Sequence, residues 1–413
     1  MQDVNPISNS FFEGEIAFSR IRIPKRLFIP FFFVLLAKTV ASIFVYYSLN
    51  VPSSGTFWTD PNKVFAWEQN KVFLENLNKT AQWSSVFLGW DSAWYLSIMT
   101  KGYAFSSQSY SFFPGLPVFG SLFRVILQDP AISLVICVGV FGVLWVPAYQ
   151  LVAENYMSRE AALGSALLFA FSPYVFLFTT VAYSEGLFLF FILSAWHFFK
   201  KGKVGYASLL ATVAVVTRVV GVLVVLPVVI ESLQKNKSRR LRNALLSCLP
   251  IVALFIWLAY CQLTANDWLA SIHSTEWNSL YSFRRLLFEG LPAKGIQAFA
   301  ELPFQHWLSP PHWLLPIAMW GAIIVPPFLI HKMAKVEKSL AVYSLVYYVG
   351  VLAFGALVST PRFISVLFPL WIPLTAKLSK NKKSAAVVVA AATLSFVVSL
   401  DLWINFLNGQ FIA

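Results

Sequence analysis

VGYASLLATVAVVTRVVGVLVVLPVVIE, residues 204–231, carries a single charge, Arg218, between Val204 and Ile230. Basic clusters flank it on both sides: Lys200, Lys201 and Lys203 before it, and the run from Lys235 to Arg242 after it. A single crossing would carry one cluster over the membrane, although Lys and Arg collect in cytoplasmic loops. Two short helices returning to the same side satisfy both clusters. The apex then falls at Thr217-Arg218, with Gly221 just beyond, and Arg218 stands at the outer level. Such half-length helices are tolerated where they line a protein cavity instead of lipid.

Working outward, apolar runs of similar character recur along the whole chain. Of its 413 residues, 58% are hydrophobic and 12% charged, against about 25% charged in an average soluble domain. Runs long enough to span a bilayer fall at 27–49, 131–152, 161–182, 185–199, 244–263, 313–330, 339–358, 361–376 and 384–407. The first is too long for the apolar core of a signal peptide and reads as a retained helix. With the 204–231 hairpin in place, the clusters Lys25/Arg26, Lys200–Lys203, Lys235–Arg242, Lys332/Lys335/Lys338 and Lys377–Lys383 all face the cytoplasm. The sequence thus predicts an all-α polytopic membrane protein of about eleven membrane helices. A cytoplasmic tail, residues 1–26, precedes a single transmembrane domain, 27–413. Residues 50–130 and 264–312 form two outer loops, and 114–127, opened by Pro114 and Pro117, an interfacial helix.

The net charge of +13 follows from this topology. No soluble basic face exists to hold nucleic acid. Cys137, Cys248 and Cys261 lie inside apolar runs without metal-ligand spacing. Asn78-Lys79-Thr80 is a glycosylation sequon on the outer side; Asn236-Lys237-Ser238 is another, on the cytoplasmic side.

Several polar residues stand where chemistry is possible. Asp91, in Trp90-Asp91-Ser92-Ala93-Trp94-Tyr95, lies among aromatics at the membrane rim. A carboxylate there can take a proton from a hydroxyl, or cap the helix beginning near Ser92. Arg362, in Thr360-Pro361-Arg362-Phe363, and Arg218 are suited to gripping phosphate, or could snorkel to headgroups. Glu185 could bond a sugar hydroxyl, pair with an Arg, or serve as a helix-start carboxylate. Lys38, mid-span, could face the cavity or pair structurally. His273 and Glu276 share one helix face, as acceptor contacts or as a solvated face; as a metal site they are a weak signal.

These residues together resemble the PIG-V-type mannosyltransferases of the GT-C membrane fold, whose eukaryotic namesake adds the second mannose in GPI-anchor assembly. Four stretches carry the resemblance in order: Trp90–Tyr95 with Gly102-Tyr103; Phe112-Phe113-Pro114 with Pro117; Tyr183-Ser184-Glu185 with Thr217-Arg218 and Gly221; and Pro361-Arg362-Phe363 with Phe368-Pro369. The resemblance implies a polyprenyl (dolichyl) phosphate mannose donor, a glycolipid or glycan acceptor, and inverting transfer without a metal or other cofactor. The reaction would lie on the extracytoplasmic or lumenal face of a plasma or endoplasmic reticulum membrane. It further implies Asp91 as the catalytic residue, a general base. On their own chemistry Arg218 and Arg362 would hold the donor phosphate, and Trp90, Trp94, Tyr95, Glu185, His273 and Glu276 would be sugar or acceptor contacts. Many relatives have two adjacent acidic residues where this chain has Asp91-Ser92. A lipid or glycolipid flippase and a non-catalytic scaffold are the rival readings.

Overall fold

A computed structural model describes residues 15–18, 21–49, 82–235, 240–274, 314–354, 359–376, 382–408 and 412. The sequon Asn78, the silent Asn236 and the candidate contact Glu276 lie outside them. The tail contains a feature that hydropathy does not announce: strands β1 (Glu15–Phe18) and β2 (Ile21–Pro24) form an antiparallel hairpin with Glu15 opposite Pro24.

Helices make up the rest of the regular structure. They run α1 (Phe28–Ser48), α2 (Ser92–Lys101), α3 (Gly115–Leu127), α4 (Pro130–Ala153), α5 (Arg159–Phe171), α6 (Pro173–Phe178), α7 (Glu185–Lys200), α8 (Val204–Thr217), α9 (Val225–Lys235), α10 (Arg240–Ser247), α11 (Leu249–Ala265), α12 (Ala270–His273), α13 (Leu314–Val336), α14 (Lys338–Phe354), α15 (Thr360–Ser365), α16 (Trp371–Thr375) and α17 (Lys382–Leu407). Local chemistry sets several starts. Asp129 accepts from the Ile132 amide at 2.8 Å ahead of Pro130, and Ser158 accepts from the Ala161 amide at 3.3 Å, so each satisfies an amide that the first turn leaves unpaired.

Among the described residues five helices are long and apolar enough to cross a membrane: Lys25–Ser48, Pro130–Ala153, Leu245–Ala265, Leu314–Val336 and Ala385–Leu407. Two expected spans differ from the sequence reading. The 161–182 run breaks at Ser172, ahead of Pro173, and the 361–376 run breaks at Val366–Leu367, ahead of Pro369. Ser172 leaves the helical region (ψ 132°), as a residue before proline favours, and Pro369 has no amide with which to continue the helix of Arg362. The segment at 114–127 is a helix of 13 residues, about 20 Å long and short of the hydrocarbon core. It buries Leu116, Pro117 and Gly120 and exposes Val118, Leu122, Val125 and Ile126.

The 204–231 stretch turns back on itself. Arg218 is extended (φ −152°, ψ 132°), a 3-10 turn follows over Val219–Val224, and α9 continues from Val225. Val224, Val225 and Val228 line the same small cavity as Ala207, Ser208 and Ala211 of α8, so the chain returns alongside α8 after the turn. Gly221 makes the reversal possible: a Cβ there would lie 2.7 Å from the Ala214 carbonyl carbon.

Halfway along α4, the first turn of α7 packs against it with glycine against glycine. A Cβ on Gly186 would sit 2.9 Å from the Gly142 Cα, and one on Gly142 would sit 2.0 Å from the Thr179 carbonyl oxygen. Small residues allow this close approach between membrane helices. Beside this contact, the buried Lys38 ammonium donates to the Gly142 and Thr179 carbonyls, both at 2.7 Å, and to Thr179 Oγ1 at 2.8 Å. All three ammonium donors are thereby used, joining α1 to α4 and to the end of α6. Lys38→Met strands these acceptors in an apolar setting, a loss of about 1–3 kcal/mol. The thermal midpoint of the purified protein in detergent is expected to fall; an unchanged midpoint would contradict the role.

The two ends of the bundle differ in character. At one, Arg26 holds Glu154 with two bonds of 2.9 and 3.0 Å, Trp196 donates to Tyr156 Oη at 3.1 Å, and Lys200 meets Glu337 at 2.7 Å. The start of α7, with Glu185, lies at the other end, 16 residues of helix away.

Candidate functional site

Four chain segments converge at that second end. The first is the turn into α2. Trp90 has a left-handed backbone (φ 50°), a conformation bulky residues rarely adopt and one that concentrates at functional sites. The indole of Trp90 turns toward α17 and donates to the Phe406 carbonyl at 3.3 Å. Nearby, Trp403 donates to the Val86 carbonyl at 2.8 Å, anchoring the segment ahead of α2 to α17. Ser92 closes the turn: its Oγ accepts from the Gly89 amide at 2.5 Å and donates to the Gly89 carbonyl at 2.7 Å. Asp91 occupies the cap position but its side chain makes no capping bond. Its amide donates to Tyr183 Oη at 3.1 Å, and its carboxylate is directed elsewhere.

The second segment is the turn into α7, whose first residue is Glu185. Its carboxylate is fully buried, at a helix start where negative charge is favoured. The third is the Arg218 break. Gly115, at the start of α3, lets that helix pack directly on the preceding residue: a Cβ there would lie 2.5 Å from Thr217 Oγ1. The fourth is α15, which carries Arg362. Tyr347 of α14 donates to the Phe363 carbonyl at 3.0 Å and holds α15 in place.

The four charged side chains form one network. Arg362 donates through Nη1 to Asp91 Oδ2 at 2.6 Å and through Nε to Glu185 Oε1 at 2.5 Å. Arg218 donates through Nη1 to the same Glu185 Oε1 at 2.6 Å, with Ser184 Oγ at 3.4 Å. The Phe363 ring faces both guanidinium groups, at 5.2 Å from Arg218 and 5.4 Å from Arg362; Tyr183 covers Arg362 at 4.4 Å. Such stacking suits a weakly hydrated planar cation. Two carboxylates and two guanidiniums balance in charge, as buried charges must. The second oxygen of Glu185 is buried and has no hydrogen-bond partner among the described residues. Asp91 is the most open of the four side chains, at 28% exposed against 9% for Arg362, 12% for Arg218 and none for Glu185.

The other expected residues are placed as follows. Tyr95 lies one helical turn beyond Asp91 on the same face and donates to Ser184 Oγ at 3.1 Å. Burial, with the Glu185 carboxylate nearby, pushes its hydroxyl up to about 12, so it stays a donor at neutral pH. Trp94, 2% exposed, stacks on Phe112 at 5.4 Å in the aromatic wall behind Asp91. His273 is exposed and pairs with Asp267 at 2.8 Å, not with any of the four charges. That bond holds the Asp267 carboxyl below the usual carboxylate range. The segment before α3 meets α11 and the turn after α12: Ser111 and Ser274 lie 2.9 Å apart, and Trp257 of α11 packs on Tyr103 at 5.1 Å and Phe113 at 5.4 Å. Among the described residues no three His, Cys, Asp or Glu side chains gather as a metal site requires. Tyr183, Ser184, Tyr347 and Phe363 complete the site. The first two sit in the quoted Tyr183-Ser184-Glu185 stretch, but nothing in the sequence around Tyr347 signals its part.

We found no match among curated proteins. Among solved structures the chain is similar to the Archaeoglobus fulgidus oligosaccharyltransferase in complex with zinc and sulfate, at TM-score 0.46 and 15% identity over 91% of this chain and 53% of that one. It is also similar to ArnT from Cupriavidus metallidurans bound to undecaprenyl phosphate, at TM-score 0.43 and 14% identity over 82% of this chain and 74% of that one. The chain thus spans about half the length of the oligosaccharyltransferase. The profile of the mannosyltransferase (PIG-V) family matches residues 46–265, which include Asp91, Glu185 and Arg218 and make up more than half of the chain; Arg362 lies beyond the matched segment. The chain belongs to the mannosyltransferase (PIG-V) family.

Proposed function

We propose that this membrane protein is a mannosyltransferase that moves mannose from a polyprenyl phosphate mannose to a hydroxyl of a glycolipid or glycan acceptor, with inversion at the anomeric carbon. The observation that carries this reading is the shared network: a partly open carboxylate, Asp91, is bonded to a guanidinium that is tied through Glu185 to a second guanidinium.

The donor's phosphate is already a good leaving group. Catalysis then needs charge stabilisation on one side of the anomeric carbon and a proton acceptor on the other. Arg218 and Arg362 supply the first in a site largely removed from water, where fixed charges act strongly. Asp91 supplies the second. It takes the proton of the acceptor hydroxyl as oxygen attacks, while the anomeric C–O bond to phosphate breaks and its electron pair leaves with the phosphate. The Arg26–Glu154 and Lys200–Glu337 end of the bundle carries the basic flanks expected in the cytoplasm, so the reaction is assigned to the extracytoplasmic or lumenal face.

The test is direct. Purified protein given polyprenyl phosphate mannose and a lipid acceptor is expected to release polyprenyl phosphate, at the same rate with and without a divalent-metal chelator. No release, with several glycolipid acceptors supplied, would reject the activity; loss with chelator alone would reject the metal-independent route.

A further inference from the structure

Resting on the proposed donor, we infer that Arg362 changes partner during the reaction, leaving Asp91 for the donor phosphate, so that the base is released only when donor is bound.

Arg362 meets one carboxylate through Nε and the other through Nη1, and the two differ in how open they are. Its Nε edge is held by Glu185 at 2.5 Å, and Glu185 is fully buried and anchored also by Arg218. One ring face of the guanidinium is covered by Tyr183 at 4.4 Å, with Phe178 at 5.0 Å and Phe363 at 5.4 Å around it. The Nη1 bond to Asp91 points to the most open of the four side chains. A phosphate that enters from the open Asp91 side therefore meets Nη1 and competes with Asp91 for it, while Glu185 keeps the guanidinium in place.

Charge arithmetic gives the exchange a direction. The four side chains sum to zero at rest. A donor phosphodiester brings one negative charge, and its oxygens compete for Arg362. Asp91, parted from its cation, becomes the stronger proton acceptor. As transfer proceeds, Asp91 gains the acceptor proton and becomes neutral, while the phosphate gains the electron pair of the broken C–O bond and becomes a dianion. The total is one negative charge before and after. It moves from one side of Arg362 to the other, so the same guanidinium serves the base at rest and the leaving group in the transition state. Once Asp91 loses its proton it competes again for Nη1 and favours departure of the product. Glu185 is the positioning residue of this exchange.

Binding measurements separate the exchange from the donor assignment. The probe is undecaprenyl phosphate, with undecaprenol as control, and the protein is held in nanodiscs. Wild-type protein is expected to prefer the phosphate over the alcohol. Asp91→Asn, which removes the competing anion at constant shape, is expected to bind the phosphate about tenfold more tightly than wild type, because a neutral amide oxygen holds Nη1 less strongly than a carboxylate does. Asp91→Ala serves as a second variant with the same expectation. The gain should persist in an Arg218→Lys background and vanish in an Arg362→Lys background. Equal or weaker binding by both Asp91 variants, with wild type still preferring the phosphate, would overturn the exchange and leave the donor assignment standing. No preference for phosphate over alcohol in wild type would overturn both.

Discussion

Asp91→Asn is expected to lower the rate of mannose transfer by about 10²–10⁴-fold, the contribution of a positioned general base. The substitution keeps the shape of the side chain, and the amide oxygen can still accept from Arg362 Nη1, now 2.6 Å from Asp91 Oδ2. It removes the negative charge and with it the ability to hold a proton at the attacking hydroxyl. The loss should therefore appear in turnover with saturating donor and acceptor, while the thermal midpoint stays close to that of wild type. Because the Asn variant also frees Arg362 from an anionic competitor, the apparent affinity for donor should not fall with the rate. The measurement is release of polyprenyl phosphate over time by matched preparations of the two proteins. Turnover within a few-fold of wild type would place the base elsewhere.

Glu185→Ala is expected to have the largest effect on the fold. Glu185 is fully buried and one of its oxygens accepts from both Arg218 and Arg362, at 2.6 and 2.5 Å. Removing it leaves two guanidinium groups of like charge against one Phe363 ring, with one remaining carboxylate, Asp91, bonded to Arg362. Taking away one partner of a buried ion pair costs about 3–5 kcal/mol, because the surviving charge loses its compensation. In thermal unfolding in detergent the variant should melt well below wild type, or fail to accumulate in the membrane. Glu185→Gln keeps an acceptor oxygen and the packing volume and should fall between the two. A midpoint for Glu185→Ala matching wild type would mean that water or another anion already satisfies the guanidinium groups.

Several features are legible in the amino-acid sequence. Apolar runs without charge can be satisfied only as helices in a bilayer, which is why the chain reads as a helical membrane protein from composition and spacing alone. The break at Arg218 was readable because one charge interrupted an apolar run with basic clusters at both ends. Asp91, Glu185, Arg218 and Arg362 stood out for a related reason: ionisable groups at apolar depth are costly and persist where something uses them. The divided runs at Ser172 and Val366–Leu367 were partly legible through Pro173 and Pro369 but were outweighed by continuous hydropathy. The hairpin of residues 15–24 was hidden because a four-residue strand pair carries too short a pattern.

The sequence by itself therefore determined the helical membrane class, the turn at Arg218 and the candidate charges, since each follows from what a residue and its near neighbours cost in lipid. Only the tertiary structure decided how those charges are shared. Arg362 reaches Asp91 and Glu185 across sequence separations of 271 and 177 residues, and Lys38 reaches Gly142 across 104. Local signals cannot choose among such distant partners. Asp91 could cap its own helix or meet a guanidinium, and the outcome was set by the packing that brings the break after α8, the start of α7 and α15 to one end of the bundle, where four desolvated charges are stable only in one another's company.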